Sequence, residues 1–171
     1  MPTAPTQQEV DAVKAQGRYL ATITMANGKK IEIVLEGADA PLTTANFVKL
    51  AQSGFYNGLT FHRVVESFVI QGGDPNGNGM GGPGYQIKLE VVPGMKHYKG
   101  AISMARSAAP DSAGSQFFIT LGYAMHLDGQ YAVFGWTKSG IDVVDSVKVG
   151  DKMESVTVEP YAGTEPNPLC I

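Results

Sequence analysis

The sequence predicts a mainly β single domain built from many short antiparallel strands and few helices. The 171 residues include 21 glycines and 10 prolines, which interrupt the chain often. Two alternating apolar and polar segments flank an Asn-Gly pair, which is the pattern of a β-hairpin. Only two segments within the domain have apolar residues spaced as in an α-helix. This pattern favours a closed antiparallel barrel or a sandwich and does not separate the two.

The first strand pair has the clearest alternation. Residues 18–25 and 30–35 alternate apolar and polar side chains, and Asn27 and Gly28 lie between them. Both residue types tolerate the positive φ that a type I′ turn requires. The sequence therefore predicts a tight hairpin with a type I′ turn at Asn27-Gly28.

Further elements follow from local composition. Helices are predicted from Pro41 to a stop at Gly54 and over 141–148, and a third helix is predicted over 8–15 near the N-terminus. Seven more short segments are rich in β-branched and aromatic residues, which is typical of strands. These segments are residues 59–65, 68–71, 85–90, 101–104, 116–121, 133–136 and 156–158. Within 116–121, alternation puts Gln116 and Phe118 on one face and Phe117, Ile119 and Leu121 on the other, so one face can line a groove while the other fills the core.

Charge and composition exclude several protein classes. The net charge is −3 and the basic residues are scattered, so a nucleic-acid partner is not expected. The single cysteine, Cys170, builds neither an intrachain disulfide nor a cysteine-based zinc site. No segment approaches the roughly 18 apolar residues of a membrane span, and no signal peptide follows Met1. With Met1 as the native start, we expect a soluble cytoplasmic protein.

The stretch FHRVVESFVIQGGD, residues 61–74, places Arg63 among apolar neighbours. A guanidinium group is costly to desolvate, so an arginine in such a run is paired, exposed at an edge, or functional. Spacing alone favours the structural alternatives.

This stretch resembles the signature of the cyclophilins, a family of peptidyl-prolyl cis-trans isomerases. FHRVVESFVIQGGDP is followed by GAISMARS, GSQFFIT and HLDGQYAVFG, and the resemblance extends over residues 19–158. It implies an all-β fold, a closed eight-stranded antiparallel β-barrel capped by two α-helices. It thereby decides between barrel and sandwich. We expect residues 18–171 to form this domain and residues 1–17 to form an N-terminal arm.

The resemblance also implies the site residues. Arg63 matches the catalytic arginine, and Gln71 matches the residue that holds a substrate carbonyl. The proline pocket is matched by Phe68, Val69, Phe118 and Leu127, the neighbouring groove by Ala105, Arg106 and Gln116, and the site margin by His62 and His126. The implied partners are proline-containing peptides and unfolded protein clients, and neither a metal nor another cofactor is expected. No feature of the sequence indicates an oligomer, so a monomer is expected.

The chemistry explains why one arginine suffices. An amide resists rotation by about 18–20 kcal/mol because its nitrogen shares its lone pair with the carbonyl. Before proline the two isomers differ by only about 0.5–1 kcal/mol, so the obstacle is kinetic. In the twisted transition state the lone pair localises on nitrogen, which becomes a hydrogen-bond acceptor. A donor such as Arg63 then binds the transition state better than either ground state.

Three positions differ from well-known eukaryotic cyclophilins. His126 stands where they carry Trp, Tyr131 where they carry His, and Arg106 where they carry Asn. The first two resemble the bacterial branch of the family. We expect only weak cyclosporin binding, because the indole surface and its N–H donor are missing. The charge of Arg106 is expected to favour acidic residues near proline.

Other functions receive less support. Residues 77–82 fit GxGxxG formally, yet no βαβ unit surrounds them, so they are interpreted as a loop. The three histidines lack the spacing of a metal site and are expected to be ordinary surface or groove residues. The serious alternative to an isomerase is a non-catalytic proline-peptide binding or chaperone module. Arg63 favours catalysis, because a pure binder does not need a donor for a twisted amide.

Overall fold

Eight strands form one antiparallel sheet in the computed structural model, which describes residues 2–170. The strands are β1 (Arg18–Met25), β2 (Lys30–Glu36), β3 (Phe61–Val65), β4 (Val69–Gly72), β5 (Ala101–Met104), β6 (Phe117–Thr120), β7 (Val133–Ser139) and β8 (Met153–Pro160). Their order across the sheet is β3-β4-β6-β5-β7-β2-β1-β8.

The two edges of the sheet meet, so the sheet curls into a barrel. Thr60 pairs with Lys152 in an isolated antiparallel bridge beside the starts of β3 and β8. The Phe61 N–H donates to the Asp151 carbonyl at 2.9 Å, and the Met153 N–H donates to the carbonyl of Leu59 at 2.8 Å. The predicted eight-stranded antiparallel architecture is confirmed.

Three α-helices accompany the sheet: α1 (Gln7–Gln16), α2 (Pro41–Gln52) and α3 (Ile141–Ser146). A capping box starts α1, in which the side chains of Thr6 and Glu9 each accept the other residue's backbone N–H. Lys49 of α2 pairs with Glu9 at 2.9 Å, which ties α1 to the domain. No helix within residues 2–170 has the length and apolar character needed to cross a membrane.

The main core fills the inside of the barrel. On β6, Phe117 and Ile119 are buried in this core, whereas Phe118 belongs to a separate apolar cluster on the other face. The predicted face assignment of this strand is therefore confirmed. Phe47 of α2 packs against Phe117 and Phe134 with ring centroids 5.6 Å apart, so the helix is anchored to the barrel interior.

The hairpin turn differs from the predicted type I′ turn. Its loop has three residues, Ala26, Asn27 and Gly28, because the N–H of Met25 donates to the carbonyl of Lys29. Gly28 has a φ of 84°, but Asn27 does not take positive φ. A three-residue loop needs the left-handed conformation at one position only, and glycine occupies it.

The predicted strand over residues 85–90 is wrong. Only Ile87 forms a bridge, to Ala113. The N–H of Leu89 does not pair with a strand and donates instead to the carboxylate of Asp111 at 2.9 Å. The Glu90 carboxylate accepts the N–H groups of the first turn of α2. The carboxylate of Asp111 thus takes the place of a strand partner at Leu89, and Glu90 is used to cap α2.

Candidate active site

A cavity of about 340 Å³ opens on the outer face of the sheet, beside β3, β4 and β6 and the 3₁₀ turn Met125–Leu127. All the predicted site residues except His62 and Gln116 line it, together with Tyr131. The lining residues are Arg63, Phe68, Val69, Gln71, Ala105, Arg106, Phe118, His126, Leu127 and Tyr131.

One side of the cavity is an apolar wall, which we define as Val69, Phe118 and Leu127. These side chains are only 1%, 4% and 8% exposed. Val69 and Phe118 come from the neighbouring strands β4 and β6, while Leu127 lies in the 3₁₀ turn. Phe68 stacks on His126 at the rim, with ring centroids 5.3 Å apart. The wall offers a preformed site for a small apolar ring.

The opposite side carries hydrogen-bonding groups. Arg63 on β3 faces Gln71 on β4 in the strand register, and its Nη1 donates to Gln71 Oε1 at 3.2 Å. The Gln71 Nε2 donates to Gln116 Oε1 at 3.0 Å. Within residues 2–170 the other N–H groups of Arg63 have no acceptor, so they are available to a ligand in the cavity.

The charges around the cavity are all of one sign. Arg63 and Arg106 line it, and no carboxylate does. The Arg106 guanidinium donates to the carbonyls of Ser107 and Gln130 and lies 4.6 Å from the centre of the Tyr131 ring. Tyr131 was absent from the predicted site. Its place in the HLDGQY motif, two residues after Gly129, was the sequence feature that could have indicated a position in the cavity.

Gln116 lies at the border with a second cavity of about 700 Å³. The two cavities share Gln71, Ala105 and Arg106, so they form one continuous groove. Glycines make up much of the second cavity's wall, from Gly79 to Gly84. An extended peptide can therefore pass from one cavity into the other.

His62 lines neither cavity. Its two ring nitrogens are buried without a hydrogen-bond partner among the residues that the structure describes. Burial lowers the pKa of His62 from its ordinary value of 6.5, the charge of Asp74 raises it, and Arg63 lowers it. At neutral pH the ring is uncharged, and it lies near Gly79 beneath the loop that follows β4.

His97 lies behind the apolar wall, where the sequence did not predict a buried histidine. Its ring is fully buried and stacks on Phe118 with centroids 5.9 Å apart. Nδ1 lies 2.9 Å from Asp128 Oδ1, and Nε2 lies 3.0 Å from the Ser103 hydroxyl. Burial lowers the pKa of His97, while Asp128 raises it less. The expectation of a surface or groove histidine is wrong for His97. No local pattern marks its burial, since Phe118 and Asp128 come from distant parts of the sequence.

Comparison with known proteins agrees with this geometry. The family "Cyclophilin type peptidyl-prolyl cis-trans isomerase/CLD" matches residues 20–162. A peptidyl-prolyl cis-trans isomerase of Helicobacter pylori is 51% identical over 139 residues, which cover 80% of this chain and 84% of the relative. Peptidyl-prolyl cis-trans isomerase B of Bacillus subtilis is 50% identical over 136 residues, covering 79% and 94%.

A solved structure supports the same family. The crystal structure of a cyclophilin type peptidyl-prolyl cis-trans isomerase from Cryptosporidium parvum, determined with the dipeptide Ala-Pro, matches with a TM-score of 0.76. It is 29% identical in sequence, and the match covers 82% of this chain and 98% of that protein. The chain belongs to the cyclophilin-type peptidyl-prolyl cis-trans isomerases.

Proposed function

We propose that the cavity binds the proline of a peptide against the apolar wall and that Arg63 is the catalytic donor for rotation about the Xaa-Pro bond. The observation that carries this proposal is the position of Arg63. Its guanidinium is held by Gln71 at the edge of a buried apolar pocket and still has free N–H groups.

The apolar wall supports the first step, which is to hold the ring. Val69, Phe118 and Leu127 are already buried and fixed by packing, so a bound proline meets a rigid surface. Contact with this surface removes water from the ring and from the amide beside it. Electrostatic interactions strengthen where water is excluded, which increases the effect of a nearby guanidinium.

Arg63 acts on the twisted amide. The proline nitrogen is a poor acceptor in the planar amide and a good one when the lone pair localises, so the hydrogen bond forms only in the transition state. A hydrogen bond to a charged group contributes about 1.5–3 kcal/mol, which corresponds to roughly 10- to 100-fold in rate. No covalent bond forms or breaks, and no proton needs to leave the arginine.

Gln71 is suited to hold a substrate carbonyl. An amide NH₂ group has two N–H donors, and Gln116 uses one of them. The second donor can bind a peptide carbonyl next to the proline. The substrate then has one anchored end, while the other end rotates.

Proline-containing segments of unfolded proteins are the proposed substrates, with the protein acting as a monomer. A cytoplasmic location and weak cyclosporin binding remain predictions from the sequence. A non-catalytic proline-peptide binding module would use the same wall, but it would not require the free guanidinium donors of Arg63.

Exchange spectroscopy by NMR on a short Xaa-Pro peptide tests the proposal. We expect the wild type to accelerate exchange and Arg63→Ala to lose at least tenfold of the rate constant kcat, with peptide affinity largely kept. Lys148→Ala, at an exposed lysine outside the cavity, is the control for removal of one positive charge. Peptide binding without acceleration by the wild type would support the binding module. Equal activity of wild type and Arg63→Ala would disprove the role of the arginine.

A further inference from the structure

A chain of side-chain hydrogen bonds leads from Arg63 away from the proline pocket. It runs through Gln71 and Gln116 and ends at the loop that follows β4. There the Nε2 of Gln116 donates to the carbonyl of Gly79 at 3.0 Å and to that of Gly81 at 2.9 Å. The catalytic side of the cavity is therefore connected to the backbone of this loop.

The two loop carbonyls fix the direction of the whole chain. A carbonyl only accepts, so the NH₂ group of Gln116 must point to the loop and its Oε1 must point to Gln71. The Gln71 NH₂ group then donates to Gln116, which leaves Gln71 Oε1 for Arg63. With Gln71 reversed, its NH₂ group would face the guanidinium and Arg63 would lose its acceptor. With Gln116 reversed, its NH₂ group would face the NH₂ group of Gln71, which favours that same reversal of Gln71.

The loop itself is organised by the carboxylate of Asp74, a residue that is 1% exposed. Its two oxygens accept the N–H of Asn76 at 2.8 Å, the N–H of Asn78 at 2.9 Å, and the N–H of Gly79. A Cβ added at Gly81 would collide with Asp74 Oδ1, so the loop closes tightly around the carboxylate. Charge-assisted hydrogen bonds of this kind are about twice as strong as neutral ones.

The ionisation of Asp74 agrees with this arrangement. Burial by itself raises the pKa of Asp74. The hydrogen bonds from the surrounding backbone N–H groups together lower it by more, so the pKa lies below the ordinary value of 3.8. The loop is thus wrapped around a permanent anion at neutral pH.

We propose that Asp74 is a positioning residue for Arg63. By holding the carbonyls of Gly79 and Gly81 in place, it orients the amides of Gln116 and Gln71 so that an oxygen faces the guanidinium. The kinetic consequence rests on the proposed function of Arg63, whereas the orientation of the amides does not.

The test is Asp74→Asn, which keeps the size of the side chain but removes the charge and one acceptor. We expect kcat for an Xaa-Pro peptide to fall about tenfold, with KM changed less than twofold, because the apolar wall is untouched. We also expect the side-chain amide NMR signals of Gln71 and Gln116 to shift. Asp151→Asn is the matched control, since Asp151 caps the N–H of Lys148 in an exposed turn at 2.8 Å.

A second variant covers a failure of Asp74→Asn to fold. Gln116→Met interrupts the hydrogen-bond chain but keeps the Asp74 carboxylate and the N–H groups it binds, and it should shift the Gln71 amide signal and lower kcat in the same way. Unchanged amide signals of Gln71 and Gln116 in Asp74→Asn, or of Gln71 in Gln116→Met, would overturn the positioning role. So would shifted signals with an unchanged kcat. An inactive wild type would contradict the function proposed for Arg63, and the amide signals would still decide the orientation.

Discussion

The two sides of the cavity are stabilised in different ways. The apolar wall consists of residues that are also core, and it is backed by the buried ring of His97. The polar side consists of Arg63, Gln71 and Gln116, which are partly or fully exposed and hold one another through hydrogen bonds. The neutral hydrogen bond between Gln71 and Gln116 contributes a net of about 0.5–1.5 kcal/mol to stability, less than the burial of a large apolar side chain.

Because the two sides are stabilised differently, substitutions on each side should affect different properties of the protein. Changes in the apolar wall should reduce the free energy of unfolding and proline affinity together. Changes on the polar side should reduce turnover while the protein stays folded. Substitutions on each side test this separation, and the largest effect is expected in the apolar wall.

Phe118→Ala should be the most damaging change to the wall. Removal of a buried phenylalanine side chain costs about 3–5 kcal/mol of unfolding free energy, because it leaves a cavity. KM for an Xaa-Pro peptide should rise at the same time, since the proposed proline pocket loses one of the three side chains of its apolar wall. Chemical denaturation and peptide kinetics measure both effects, and Phe118→Leu is the milder control. Loss of turnover with unchanged stability would contradict the distinction between the two sides.

The face assignments of the strands could be predicted from sequence, because alternation is a local property. Phe117 and Phe118 were assigned to opposite faces on this basis, and the structure confirms it. Alternation could not reveal what lies behind a face. The hydrogen bond between His97 and Asp128 joins residues 31 positions apart, and no local pattern marks it. The carboxylate of Asp111, which replaces a strand partner at Leu89, escaped prediction for the same reason.

Arg63 shows the same limit for the site. From spacing alone it was expected to be paired, exposed at an edge, or functional. The structure shows that the first two alternatives hold together, because Arg63 is exposed on β3 at the end of the strand order and is hydrogen-bonded to Gln71. Its proposed role came from the resemblance. The orientation of the amides that hold it depends on the backbone of a loop and could be found only in three dimensions.

His97 should make the stability of the apolar side depend on pH. Its pKa in the fold is below 6.5 because of burial, so the unfolded chain binds a proton first as the pH falls. The contribution of His97 is therefore fully present above about pH 6.5 and is lost toward its folded pKa, at about 1.4 kcal/mol per pH unit. Asp128, which faces the ring, stays ionised in this range. Burial raises the pKa of Asp128, but hydrogen bonds from His97 and Tyr123 help to bring it below 3.8.

His97→Gln tests this prediction because glutamine can form hydrogen bonds but does not titrate. Denaturation at several pH values between 6.5 and 5 should give a smaller pH slope for the variant than for the wild type. His62→Gln is the useful comparison, since burial also lowers the pKa of His62 and its removal should reduce the slope separately. An identical slope in His97→Gln and the wild type would show that His97 does not titrate differently in the folded and unfolded states.

The smallest expected effect is on peptide preference and concerns Arg106. This residue lines the cavity and contributes a positive charge, but it is not part of the core. With two guanidinium groups and no carboxylate in the lining, peptides with Glu beside proline should have a higher kcat/KM than those with Gln. We expect a preference of about two- to fivefold at low salt, because exposed charge pairs contribute about 0.2–1 kcal/mol. Arg106→Gln should reduce this preference and lower stability only slightly, because the hydrogen bonds of the guanidinium to Ser107 and Gln130 are exposed, and added salt should weaken the preference in the wild type. Lys99→Gln, which removes an equal charge from a surface pair with Asp145, should leave the preference unchanged. A preference that survives both high salt and Arg106→Gln would have to come from contacts other than charge, and the polar side would then select peptides by shape.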